Sequence, residues 1–233
     1  MNFRLPAPPQ PFVPIAGSAD AFPVHRIYCV GRNYADHARE MGASGREAPF
    51  FFAKPGDAVL HAASGPIDIV YPDRTADLQH EIELVVAIGA PGYRVTMAQA
   101  RGLVWGYAVG LDLTRRDLQA EAKRLGRPWE VGKGFDGAAP IGAIVPAGQV
   151  GALGPQRIWL DVNGQRRQQG VLSQMIWSVE ETIAELSGFF ELAAGDLIFT
   201  GTPAGVGPLA PGDRLEGGID EIGTIQATVL PRR

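Results

Sequence analysis

The segment Asp77-Leu78-Gln79-His80-Glu81-Ile82-Glu83 sets two carboxylates two residues apart at the head of an apolar run. Residues i and i+2 of a strand face one side, so Glu81 and Glu83 project together. Two carboxylates on one face of a buried strand repel each other and resist desolvation; they call for a cation. A third acid, Asp112, stands at the end of a second apolar run, Trp105 to Leu113. An all-oxygen donor set with no Cys and no obvious His suits a hard ion, Mg²⁺, Mn²⁺ or Ca²⁺. Ordinary acids at a solvated strand end have the same pattern, and spacing alone does not choose between the two.

Other residues carry chemistry nearby in type. His37 and Glu40 are i,i+3 and share a helix face. A carboxylate fixes an imidazole's tautomer and raises its basicity, so the pair could deprotonate a water; a surface His beside an acid is the plain alternative. Lys133 lies between glycines in Val131-Gly132-Lys133-Gly134-Phe135, where backbone can approach a ligand closely. Its charge suits an oxyanion or carboxylate, or simply solvent. Arg116 and Gln119 are i,i+3 after Asp112, which turns both toward the same place. Thr200-Gly201-Thr202-Pro203 offers N–H groups and a hydroxyl to a carboxylate, or makes a plain strand-end turn.

These residues need elements to hold them. Arg26 to Gly31 reads as a strand, with Asn33 as N-cap of a short helix from Tyr34 to Met41. Phe50 to Phe52 leads into a turn at Lys54-Pro55-Gly56-Asp57. Glu81 to Gly89 reads as one central strand and Trp105 to Leu113 as another. Thr96 to Leu103 reads as a short helix, and a second, capped by Thr114, runs to Gly126. Ile158 to Val162 is a strand entering a tight Asn163-Gly164 turn. Ser178 caps a helix that ends near Gly188, and short strands alternate with turns after Gly195. The proline-rich residues 1–24 read as an extended arm over the body or a neighbouring subunit, with a disordered tail as the alternative. Residues 25–233 read as one domain. The class expected is α+β and β-rich, without a βαβ rhythm.

Composition narrows the function. The chain has 233 residues, with 21 Lys and Arg against 25 Asp and Glu, which argues against a nucleic-acid binder. Its 30 Gly and 19 Pro follow no collagen period and mean many turns between short strands. A single cysteine excludes an internal disulfide, and Cys29, in an apolar strand, reads as a core filler. The prolines near the N-terminus do not make a secretory signal and no apolar run spans a bilayer, so a soluble, cytoplasmic protein is expected. Gly132-Lys133-Gly134 lacks P-loop spacing, and Gly205-x-Gly207 is followed by Pro208 rather than a dinucleotide-binding helix.

Taken together and in order, the segments VGRNYADHAREMG, FFAKPGDAV, LQHEIELVVAIG, VWGYAVGLDLTRRDLQ, GRPWEVGKGFDGAAPIG, VNGQRRQ and DLIFTGTPAGVGPLAPGD resemble the fumarylacetoacetate hydrolase family. The likeness is to its short acylpyruvase and fumarylpyruvate hydrolase branch. The resemblance implies a mixed β-roll or sandwich-like barrel with peripheral helices, assembled as a homodimer. It implies Glu81, Glu83 and Asp112 as ligands of Mg²⁺, Mn²⁺ or Ca²⁺. It implies His37 and Glu40 as a water-activating dyad on a lid from about Asn33 to Arg46, and Lys133 as the catalytic lysine. Arg32, Lys54, Arg116, Gln119 and Thr202 are implied to bind substrate. The activity implied is cleavage of a carbon–carbon bond in an acylpyruvate, with fumarylpyruvate giving fumarate and pyruvate in aromatic (gentisate) breakdown. Oxaloacetate decarboxylation at the same site is one alternative; a non-catalytic binder of a metal or small acid is another.

Overall fold

The computed structural model describes residues 4–35, 46–62 and 65–232. Its largest sheet has six strands in the order Val145–Pro146, Val104–Leu111, Ile82–Ile88, Leu197–Phe199, Ile27–Gly31 and Phe50–Lys54. Every residue of Ile82–Ile88 is buried, as a strand covered on both faces requires. A five-stranded sheet runs in the order Gln165–Val171, Arg157–Val162, Arg214–Ile219, Gly223–Leu230 and Ile67–Val70. Its strands alternate: Ile158, Leu160 and Val162 are buried, while Arg157 is exposed. The two sheets meet closely at Gly217, where a Cβ would stand 2.5 Å from Ile82 Cδ1 and 2.9 Å from Leu160 Cδ1. The result is an α+β, strand-rich fold with sandwich-like packing and short peripheral helices.

The strand expected over Glu81 to Gly89 is present as Ile82–Ile88, and the residues just before it belong to another sheet. Leu78–His80 pairs with Thr114–Arg115 and Gly207–Leu209 in a separate three-stranded sheet, whereas Ile82 pairs with Leu111 in the large one. The chain changes sheets at Glu81, because the backbone partners of His80 and Ile82 lie in different elements.

The helix expected from Tyr34 to Met41 lies mostly outside the described residues, and one other helix start differs from expectation. Asn33 is fully buried and its amide clasps three backbone groups: Nδ2 donates to the carbonyls of Trp177 and Thr200, and Oδ1 accepts from Trp177 N–H. Thr114 pairs in a strand, and the helix Arg116–Leu125 begins two residues later without a side-chain cap. Its Asp117 accepts instead from Thr75 Oγ1 and Ala76 N–H. Thr96 and Ser178 do cap their helices, each in a reciprocal box with the residue three positions on. Asn163 and Gly164 take φ of 53° and 74° in the tight turn.

Near the N-terminus, Phe12–Pro14 and Ala21–Pro23 pair as a small hairpin, held to the body by reciprocal bonds between residues 14–16 and Ile144. Cys29 is buried, and burial pushes its thiol well above the usual range, in keeping with a packing role. Among the described residues, no helix is long and apolar enough to cross a membrane.

Candidate active site

Backbone pairing assembles the acidic triad. The antiparallel register sets Ile82 against Leu111 and Glu83 against Gly110, and Asp112 N–H then donates to the Glu81 carbonyl at 2.8 Å. Glu81 and Asp112 are thus neighbours across the point where the sheets part. Glu81, Glu83 and Asp112 each bring a ligand atom within 4.8 Å of the others, and all three are buried. The Glu83 carboxylate accepts from Gly201 N–H at 2.8 Å. Gly201 has φ of 96° and packs against Asn33, where a Cβ would come within 2.6 Å, so the turn that holds Glu83 requires glycine.

The cations nearby are equally fixed. Lys133 ends the one-turn helix Glu130–Lys133 and is 2% exposed. Its Nζ donates to Glu81 Oε2 at 2.8 Å and to Asp112 Oδ2 at 2.7 Å. Burial alone would lower its pKa, but the Asp112 and Glu81 charges outweigh burial and raise it, so the ammonium stays protonated. The glycine before it, Gly132, serves packing rather than ligand approach: its Cβ would stand 3.0 Å from the Gln119 backbone nitrogen. Arg116 donates through Nε to Gln79, through Nη1 to Gln119 at 2.7 Å and through Nη2 to Glu81.

Lys54, expected on the substrate wall, stands behind the triad instead. Its side chain is wholly buried and its ammonium pairs with Asp112 Oδ1 at 2.8 Å, while donating to the carbonyls of Leu113 and Lys133. Thr202 lines the cleft, but its hydroxyl donates to the Ile82 carbonyl at 2.7 Å and accepts from Gln168 Nε2 at 2.8 Å. It braces the strand between the two glutamates rather than offering a free donor. His37 and Glu40, and most of the lid expected around them, lie outside the described residues.

One cleft contains Glu81, Glu83, Asp112, Lys133, Arg116, Gln119 and Arg32 together. The donor set fits a hard divalent ion: three buried carboxylates, with no sulfur or imidazole in the group. Burial, then the charges of Asp112 and Glu81, push the Glu83 carboxyl well above the usual carboxylate range, a cost that a divalent cation among the three would reverse.

The profile of the fumarylacetoacetate (FAA) hydrolase C-terminal family matches residues 26–230. The chain belongs to the fumarylacetoacetate hydrolase family. Among solved structures, fumarylpyruvate hydrolase from Pseudomonas aeruginosa in complex with Mn²⁺ and pyruvate is 51% identical, with a TM-score of 0.95. That match covers 99% of this chain and all of the other. Among curated relatives, the mitochondrial oxaloacetate decarboxylase of Dictyostelium discoideum is 42% identical over 89% of this chain and 95% of its own. Oxaloacetate tautomerase YcgM of Escherichia coli is 43% identical over 83% and 88%.

Within this family fold, the sequence reading missed two contributors to the site. Gln168 is fully buried; its Oε1 faces His80 Nδ1 and accepts from Ile82 N–H, and its Nε2 reaches Thr202 and the Pro203 carbonyl. It lies in a run of polar residues, Gln165 to Gln169, and nothing in that run marks it out. Lys123 also lines the cleft. Its signal was present: Arg116, Gln119 and Lys123 are i, i+3 and i+7 on one helix and form a single stripe.

Proposed function

We propose that this member of the family hydrolyses the carbon–carbon bond of an acylpyruvate, with fumarylpyruvate as substrate and fumarate and pyruvate as products. The observation that supports this most is the gathering of a buried triad, a buried lysine paired with it and Arg116–Gln119 in one cleft, in a chain 51% identical to a fumarylpyruvate hydrolase solved with Mn²⁺ and pyruvate. Glu81, Glu83 and Asp112 would hold Mg²⁺ or Mn²⁺. When bound, such an ion supplies Lewis-acid charge for the oxygens of the 2-oxo acid.

The remaining work falls to the chain. His37, with Glu40 fixing its tautomer, takes a proton from water as that water attacks the carbonyl remote from the 2-oxo acid. The bond between that carbonyl carbon and the adjacent methylene breaks, and its electron pair moves onto the pyruvate part as an enolate. The Lys133 ammonium is already charged and desolvated where this negative charge develops, so it stabilises the transition state without reorganising. Arg116 holds Glu81 and Gln119 in register. Protonation of the enolate carbon gives pyruvate.

A second reading, oxaloacetate decarboxylation or tautomerisation, is favoured by the Dictyostelium and Escherichia relatives. Both reactions also place charge on an enolate oxygen, so the triad and Lys133 serve them equally. A turnover screen with Mg²⁺ or Mn²⁺ over fumarylpyruvate, acetylpyruvate, fumarylacetoacetate and oxaloacetate decides between them. The hydrolase reading expects the highest kcat/KM on fumarylpyruvate; consumption of oxaloacetate alone would overturn it. The same branch implies a cytoplasmic homodimer, for which light scattering should give about twice the chain mass of 24.8 kDa.

A further inference from the structure

The cleft has a second charged end that the reaction chemistry does not use. From the triad outward its wall is aromatic. Lys133 Nζ lies 4.9 Å from the Phe52 ring centroid, Phe52 and Trp129 are 5.7 Å apart, and Trp129 meets Phe50 edge-on at 5.6 Å. Each outer ring carries a cation: Lys123 Nζ is 4.8 Å from the Trp129 ring, and Arg32 Cζ is 5.7 Å from Phe50. All six side chains line the one cleft. Among the described residues, Lys123 has no carboxylate within ion-pair distance, and Arg32 has only the exposed Glu47, at 4.0 Å. Among the described residues these two outer charges have little acid set against them, and along a low-dielectric wall they form a place for an anion. Burial above all, then the neighbouring Arg116, Arg32 and Lys133 charges against the pull of Glu81, lower Lys123 to about 8.

From this we infer that Arg32 and Lys123 form a clamp for a second carboxylate, at the far end of a flat acyl chain laid along Phe52, Trp129 and Phe50. The inference rests on the acylpyruvase reading and sharpens it. The substrate class becomes acylpyruvates that end in a carboxylate, in preference to short neutral acyl groups such as acetyl. An aromatic wall between two cationic ends complements a conjugated diacid, whose unsaturated middle is planar and apolar.

The clamp can be tested without turnover. Calorimetric titration of the Mn²⁺-loaded enzyme should compare 2-oxopimelate with 2-oxoheptanoate, which differ only in the terminal carboxylate. Wild type should bind the diacid roughly ten- to hundredfold more tightly, the worth of one or two charge-assisted hydrogen bonds. Lys123→Met and Arg32→Met should each shrink that preference and the double variant should abolish it. Lys123→Arg should retain it. Oxalate, which reaches only the inner end, should bind all variants alike and so report that the site is intact. Equal affinity for the two ligands in wild type, or a preference that survives the double variant, would overturn the clamp. Fumarylpyruvate turnover without a diacid preference would sink the clamp alone. A preserved preference with no fumarylpyruvate turnover would sink the hydrolase reading alone.

Discussion

The inner and outer ends of the cleft use the same residue types in opposite ways. At the inner end the charged groups interlock. Lys54 and Lys133 take the two oxygens of Asp112, Lys133 also takes Glu81, and Arg116 ties Glu81 to Gln119. Lys54, Lys133 and Asp112 are 3%, 2% and 1% exposed, so these charges are stable only because each holds another. At the rim the Arg32 side chain is 33% exposed and meets only the exposed Glu47, at 4.0 Å, and both it and Lys123 rest on aromatic faces. Paired, buried charges give a preorganised centre; spare charges at a rim give selectivity. Substitutions at the inner end should therefore destroy chemistry or folding, and those at the rim should change choice of substrate.

The largest effect is expected at Glu83. Glu83→Ala removes one donor of the triad while leaving the strand's backbone pairing in place. Activity should fall by about a thousandfold or more, since several kcal/mol of transition-state charge stabilisation is lost at about 1.4 kcal/mol per tenfold. Circular dichroism should remain that of the folded protein. A fully active Glu83→Ala enzyme with no bound metal would remove the metal centre from the account.

Next is His37. His37→Ala should cost about 10²–10⁴-fold in kcat on an acylpyruvate, which needs an activated water, and much less on oxaloacetate, which does not. Lys133→Ala should damage both reactions, because both develop an enolate beside it. Equal losses on both substrates in His37→Ala would refute the water-activating role even with the metal centre intact.

How far the site could be read from sequence follows the same division. The triad was partly legible: Glu81 and Glu83 stand two apart beside an apolar run and Asp112 ends a second one, a pattern that solvated acids share, and the family resemblance singled out the three. The change of sheet at Glu81 was not legible, since it depends on Gly207–Leu209, far along the chain, pairing with Leu78–His80. Lys54 was implied to bind substrate, and its local sequence does not report that its ammonium pairs with Asp112, far along the chain. Asn33 looks like a helix cap in its local sequence, yet its partners are Trp177 and Thr200. The strand-rich class was legible in the turn residues and apolar runs, each of which reports on its own segment, whereas the division of the strands among sheets rests on distant pairings.

A stability effect comes third. Lys54→Met would leave Asp112 Oδ1 buried without its cation. Losing one partner of a buried pair costs about 3–5 kcal/mol. For a chain of this size that lowers Tm by roughly 6–20 °C, which a thermal melt measures directly. An unchanged Tm would show that Lys54 is not needed to hold Asp112.

The smallest effect is a pH dependence at the rim. Lys123, lowered to about 8 by burial and by Arg116, Arg32 and Lys133 against the opposing pull of Glu81, is charged below that pH and neutral above it. Affinity for 2-oxopimelate should therefore fall several-fold as pH rises through about 8, while that for oxalate holds. Lys123→Arg should flatten the profile, because a guanidinium does not titrate there. A wild-type profile flat from pH 7 to 9.5 would show that Lys123 does not meet the ligand.

The central claim is that water attacks an acylpyruvate carbonyl in this cleft. Turnover of fumarylpyruvate in ¹⁸O-labelled water by the Mn²⁺-loaded enzyme, with the products read by mass spectrometry, tests it most directly. Hydrolysis predicts pyruvate and fumarate in equal amounts, with one water-derived oxygen in a fumarate carboxylate. No cleavage of fumarylpyruvate, alongside CO₂ release or enol–keto exchange on oxaloacetate, would contradict the claim and leave the triad serving the other chemistry.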